Sequence, residues 1–207
     1  MGDLTKKTNS SVAEHAAVNT DGKGLNGFML DWYETTPRGV VVKPRRQVLS
    51  EFFTSMLVLS ANFKYRPVVG VSNYLYLIDD QWSLSLIAPD EWSAERQAGY
   101  VGRCELQRDM TWTIDPSDNL ADDGVVADGV RRFYQAFAET LDTDLTIEEI
   151  LPFYVARMPY YQRLYASAMS RSVRGSVNLS GDNLHSCREW LNRLPRFERV
   201  LLPADSL

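Results

Sequence analysis

A chain of 207 residues with 44% hydrophobic and 24% charged residues has the composition of a globular protein with a sizeable core. The net charge of −5 argues against tight nucleic-acid binding, and no run approaches the roughly 20 apolar residues a transmembrane helix needs. Cys104 and Cys187 are too few for a disulfide framework, and the lysines near the N-terminus (Lys6, Lys7, Lys23) flank no apolar segment, so a reduced, cytoplasmic protein without a membrane span is expected.

Residues 1–24 are rich in Ser, Thr, Asn and Gly without hydrophobic period, which predicts a disordered tail. The remaining 25–207 are expected to form a single α+β domain. Phe28, Leu30, Trp32 and Tyr33 make an apolar patch before the Pro37-Arg38-Gly39 turn, expected to pack across the domain. Pro44 suits a helix start. Val48, Phe52, Met56, Leu59 and Phe63 follow at helical spacing beside a second stripe of Leu49, Phe53 and Leu57, predicting a central helix over 44–62 buried on two faces.

Tyr74–Ile78 and Gln81–Ile87 flank Asp79-Asp80 as a two-residue hairpin. That register places Leu75 and Leu77 with Trp82 and Leu84 on the core face. Tyr74 and Tyr76 fall with Ser83 and Ser85 on the other, to be covered by a helix or by a ligand. Pro89 with Asp90 and Glu91 starts a short helix to about Gln97. Cys104, Leu106, Met110, Trp112 and Ile114 then alternate along a third strand that Arg108 interrupts. A bulge or edge position that turns Arg108 outward is the favoured account, with burial against Asp109 or Glu105 as the alternative. The architecture expected is a small antiparallel sheet of about three strands, more if Val40–Val42 joins. It packs on the central helix as a 43–115 core.

A helical elaboration over 124–195 follows. Val126, Val130, Phe133, Tyr134, Phe137 and Leu141 form one stripe, and Thr146-Ile147-Glu148-Glu149 is a capping-box pattern. Pro159 starts a helix to about Val173. Asp182 is expected to cap a last helix with Leu184, Cys187, Leu191 and Leu194 inward, ended by Pro195. Residues 105–149 hold twelve acidic and three basic groups, whereas 150–207 hold four and eight. Such segments either dock on each other or mark a binding surface.

The residues that carry chemistry are sparse. His185 and Cys187 stand two apart on a helix and make a poor metal pair. Nucleotide-binding glycine motifs and nucleophile elbows are missing, so no catalytic set, metal or cofactor is expected. The aromatic strand Tyr74-Leu75-Tyr76 is followed by Ser85-Leu86-Ile87-Ala88-Pro89-Asp90-Glu91-Trp92. Tyr100, Gly102, Leu106, Gln107, Asp109, Trp112 and Thr113 come next. Together they resemble a domain-of-unknown-function family, number 2452, over roughly 43–115. The resemblance supports the helix-plus-sheet fold and implies no activity, substrate or cofactor. The first functional expectation is a non-catalytic module that binds another protein, with Tyr74, Tyr76, Arg103, Arg108 and Asp109 as candidate contacts. A second is an enzyme acting on a small anionic ligand through Arg103, Arg108 and Asp109. A third is binding of RNA or single-stranded nucleic acid by the arginines and tyrosines of 154–174, which the overall charge disfavours.

Overall fold

The computed structural model describes residues 24–121, 124–152 and 158–201. Of the expected N-terminal tail, residues 1–23 lie outside the described residues, and Gly24 already caps helix α1 (Leu25–Glu34). This helix corrects part of the expectation for its apolar patch. It docks through Asp31 and Trp32: Asp31 is buried, accepts the Tyr160 hydroxyl at 2.7 Å and faces Arg66 at 3.5 Å. The Arg171 guanidinium lies 4.1 Å from the Trp32 ring centroid and donates to the Thr35 carbonyl at 3.0 Å. A buried carboxylate is tolerated only when paired, so these partners orient the helix: Trp32 packs inward as expected, whereas Leu30 and Tyr33 of the patch face outward with Leu25 and Met29.

Helix α2 (Arg45–Leu59) follows Pro44, whose extended backbone sets the helix start without a side-chain cap. Leu49, Phe53, Leu57 and Val58 have no exposed surface, and burial of each such side chain contributes about 1.5–3 kcal/mol. The Phe53 ring meets Phe133, Tyr134 and Phe137 edge-on, the geometry that ring quadrupoles favour. The helix packs against the sheet on one side and the long C-terminal helix on the other. Its expected central place is therefore found.

The sheet has four antiparallel strands, β1 (Ser72–Ile78), β2 (Gln81–Ser85), β3 (Tyr100–Leu106) and β4 (Trp112–Pro116), in the order β2-β1-β3-β4. Tyr74 pairs with Ser85 and Leu77 with Trp82, the register the hairpin pattern implies. Asp79 and Asp80 both take positive φ, so the turn is made without glycine. Between β1 and β3 the register shifts after Leu75, leaving Val101 as the extra residue. Gly99 receives Leu77 N–H at this shift, at 2.8 Å. A Cβ there would stand 2.4 Å from the Leu77 carbonyl oxygen. Val40–Val42 does not join the sheet.

The expected single third strand is two strands joined by a tight turn. Leu106 pairs with Trp112, so the apolar alternation passes through the turn without changing face. Gln107 carbonyl accepts the Met110 N–H and Thr111 carbonyl accepts the Gln107 N–H, each at 2.9 Å. Arg108 is thus a turn residue with an exposed side chain, neither bulged nor buried.

Pro89–Glu91 is a 3-10 turn, separate from the short helix α3 (Ala94–Gln97). Helix α4 (Val125–Leu141) buries Val126, Val130, Phe137 and Leu141. The Glu149 carboxylate accepts Thr146 N–H at 2.8 Å at the start of α5 (Ile147–Ile150). Helix α6 (Tyr160–Ser180) runs beyond the expected Val173 to a left-handed Gly181. The last helices are α7 (Cys187–Leu191) and α8 (Phe197–Val200). Ser186, with Glu189, caps α7 in place of the expected Asp182, because Asp182 is held by Arg45 at 2.5 Å. Leu184 accordingly points outward, while both cysteines are buried.

The oppositely charged segments meet within the fold. Arg188 donates to Asp142 at 2.9 Å and to Asp144 at 2.6 Å, and Arg174 pairs with Glu148 at 2.9 Å. Among the described residues, no helix is long and apolar enough to cross a membrane.

Candidate binding cleft

Three stretches distant in sequence converge at the turn between β3 and β4. The Asp109 carboxylate folds back on its own turn and accepts the Thr111 N–H at 3.1 Å and the Thr111 hydroxyl at 2.7 Å. This local closure suits Asp, and it holds Met110 at a positive φ of 67°. The other Asp109 oxygen accepts Lys43 Nζ at 2.5 Å. Lys43 stands just before α2 and donates also to Glu51, two turns along that helix, at 2.5 Å. Gln47 donates to the second Glu51 oxygen at 2.9 Å. Ser55 Oγ accepts the Trp112 N–H at 2.9 Å and ties the start of β4 to the same helix.

A cleft of about 670 Å³ opens beside this network, within the range of small-ligand sites. Arg38, Val69 and Arg108 form part of its lining with Glu105, Gln107 and Thr113. Arg38 N–H donates to the Arg108 carbonyl at 2.9 Å, so the two arginines are held on neighbouring backbones. Both side chains are exposed. Among the described residues, neither guanidinium stands within ion-pair distance of a carboxylate.

The floor is electrostatically committed. The side chains of Lys43, Glu51 and Asp109 retain 11%, 17% and 10% of their exposure. Burial alone would depress the Lys43 ammonium, but Glu51 and Asp109 together hold its pKa above the ordinary lysine value. Burial also disfavours ionised Asp109. The hydrogen bonds from Lys43 and Thr111 outweigh it and hold the carboxyl below its usual range. Glu51 goes the other way, since burial raises its pKa further than Lys43 and Gln47 lower it.

The five candidate contacts divide between two places. Arg108 and Asp109 line the cleft. Tyr74 and Arg103 are opposite each other on the outer face of the sheet, where Arg103 pairs with Asp115 at 3.1 Å. Tyr76 shares that face but is covered by the chain after β2: it is 1% exposed, its hydroxyl donates to the Ile87 carbonyl at 3.0 Å, and Trp92 meets its ring edge-on. The covering expected for this face thus comes from a corner of irregular chain, at Tyr76 only. Arg38, Lys43 and Glu51 were not among the sequence candidates. Lys43 and Asp109 are 66 residues apart, and no local pattern reports such a pairing. Among the described residues, no group of three His, Cys, Asp or Glu could hold a metal ion.

Residues 43–128 match the model of a family described as Protein of unknown function (DUF2452). The match begins at Lys43 and covers less than half of the chain, running past the 115 boundary read from the sequence into the start of α4. It takes in Lys43, Glu51 and Asp109 but leaves Arg38 outside. Neither the curated proteins nor the solved structures compared with the chain give a match.

Proposed function

We propose that the protein is a non-catalytic interaction module whose cleft receives an acidic segment of a partner protein. The observation that carries this reading is the pair Arg38 and Arg108, exposed side by side at the cleft and free of carboxylates within ion-pair distance among the described residues. Guanidinium groups present forked donors that match carboxylates. The Lys43 ammonium behind them is already shared between two carboxylates at close range, which favours a preformed recognition surface over a free acid or base. Glu105 and Gln107 offer acceptor and donor groups for the backbone of a bound segment.

The test is a fluorescence-polarisation titration of Glu-rich peptides from an acidic array against their Gln-substituted counterparts. Binding should require the carboxylates, weaken with salt, and fall about tenfold or more in each of Arg38→Ala and Arg108→Ala, since a hydrogen bond to a charged group contributes about 1.5–3 kcal/mol. Binding indifferent to both arginines sinks the reading. A screen against hydrolase and transferase substrates gives the opposing outcome: turnover that disappears in Asp109→Asn promotes the enzyme instead.

A further inference from the structure

Helix α1 leaves most of its large apolar side chains uncovered. Its attached side holds Asp31, bound to Tyr160 and Arg66, and Trp32, whose ring lies under Arg171. Its outward side carries Leu25 at 76% exposure, Met29 at 55%, Leu30 at 63% and Tyr33 at 68%, while Phe28 lies beside Trp32 at the edge of the attached side. Scattered exposed apolar residues are ordinary, but Leu25, Met29, Leu30 and Tyr33 together on the outward side of a ten-residue helix form a patch that water disfavours.

We infer that this face is covered by the same face of a second copy of the chain, as a twofold-symmetric homodimer. The pattern is self-complementary. Leu25, Met29 and Tyr33 are spaced four apart and form a single ridge along the helix. Two such ridges crossing antiparallel about a twofold axis at Met29 bring each Leu25 against the other copy's Tyr33 and Met29 against its own equivalent. Packing of ridges built from residues four apart is the commonest way for two helices to cross. The electrostatics agree, because the two acidic groups of α1, Asp31 and Glu34, are both drawn to Arg66 at the helix base and off the ridge. These four side chains, Leu25, Met29, Leu30 and Tyr33, expose on the order of 500 Å² per copy, taking large side chains at about 150–250 Å² each. Two copies would therefore bury about 1,000 Å², the lower edge of a specific interface and the size of a reversible dimer. A lipid surface fits less well, since α1 carries no Lys or Arg and helices that lie on membranes are rich in both.

The experiment is sedimentation equilibrium of the full chain over a range of concentrations, with the variants Met29→Glu and Leu184→Glu. Leu184 is 86% exposed and lies far along the chain, beyond α6, so its substitution controls for added surface charge. The expected result is a monomer–dimer equilibrium for the unaltered chain and Leu184→Glu, and monomer alone for Met29→Glu with its thermal midpoint unchanged. A second variant, Met29→Cys, places a thiol at the axis. Under mild oxidation by added diamide it should give a disulfide-linked dimer, two thiols losing their protons and two electrons to the reagent, while the buried native cysteines stay reduced. A monomer at every concentration overturns the proposal, as does a dimer that Met29→Glu leaves intact. Sedimentation of a monomeric chain with phosphatidylglycerol vesicles, lost in Met29→Glu, would overturn it in favour of a membrane surface. None of these outcomes touches the cleft, so the peptide titration stands or falls separately.

Discussion

Replacing Lys43 by Met keeps the length of the side chain and removes the one charge that joins Asp109 to Glu51. The variant leaves two carboxylates facing each other with little solvent, at 10% and 17% of their full exposure. Breaking a buried ion pair from one side costs about 3–5 kcal/mol. Asp109 keeps its two hydrogen bonds from Thr111, so the lower end of that range, about 3 kcal/mol, is expected. For a chain of this size that is a fall in thermal midpoint on the order of 10 °C near neutral pH. The pH dependence is the sharper signature. In the unaltered protein Asp109 titrates below its usual range, so its contribution is present above the unfolded-state value and is lost only as pH falls through the depressed folded value. Without Lys43 both carboxyls lose a partner that lowers them, and the deficit is relieved as pH falls and they take up protons. The gap between variant and parent, followed by thermal or urea unfolding, should therefore narrow steadily from about pH 7 to about pH 4. A loss below about 1 kcal/mol, as at a surface pair, or a gap that stays constant with pH, would refute the reasoning.

Trp112 has no exposed surface, so Trp112→Ala should cost about 3–5 kcal/mol in denaturant unfolding. Trp112→Phe should cost much less, because the indole Nε1 it removes has no hydrogen-bond partner among the described residues. Gly102→Ala should lower the unfolding midpoint sharply, since its Cβ would stand 2.6 Å from the Asp115 carbonyl oxygen, backbone that cannot step aside. Burial pushes the phenols of Tyr76 and Tyr100 up to about 12. Their stabilising contribution is complete below the unfolded value of about 10 and is lost as pH rises through the folded value, so the thermal midpoint should fall between these limits, less steeply in Tyr76→Phe. Arg188→Ala removes two exposed ion pairs and should leave the thermal midpoint nearly unchanged.

Local periodicity carried much of the fold into the sequence. The β1–β2 register, the buried double stripe of α2 and the inner stripe of α4 all follow from side-chain spacing, because one face of each is dry. The turn at 107–111 was hidden for the same reason: an alternation that crosses a tight hairpin keeps its face, so Leu106 and Trp112 read as one strand. Met110 takes positive φ there, which its residue type does not announce. The outward placing of Leu30 and Tyr33 on α1 was not legible, because it depends on Asp31 finding Tyr160 and Arg66. Of the cleft, Arg108 and Asp109 could be singled out as polar residues in an apolar series. Arg38, Lys43 and Glu51 looked like ordinary residues of a turn and a helix surface, and only the folded chain brings them together.

Both native thiols are shut away from solvent, with Cys104 in the middle of the sheet and Cys187 on the late helix α7. Burial holds the Cys187 thiol up at about 11 and raises that of Cys104 as well, so the native chain should be nearly inert to alkylation. Each sulfur is then a clock for the opening of its own neighbourhood. Modification of the two at one common rate would mean that the sheet and the late helices let go as a single cooperative unit. Faster modification of Cys187 would mean that the C-terminal helices can detach while the family-matched sheet still holds.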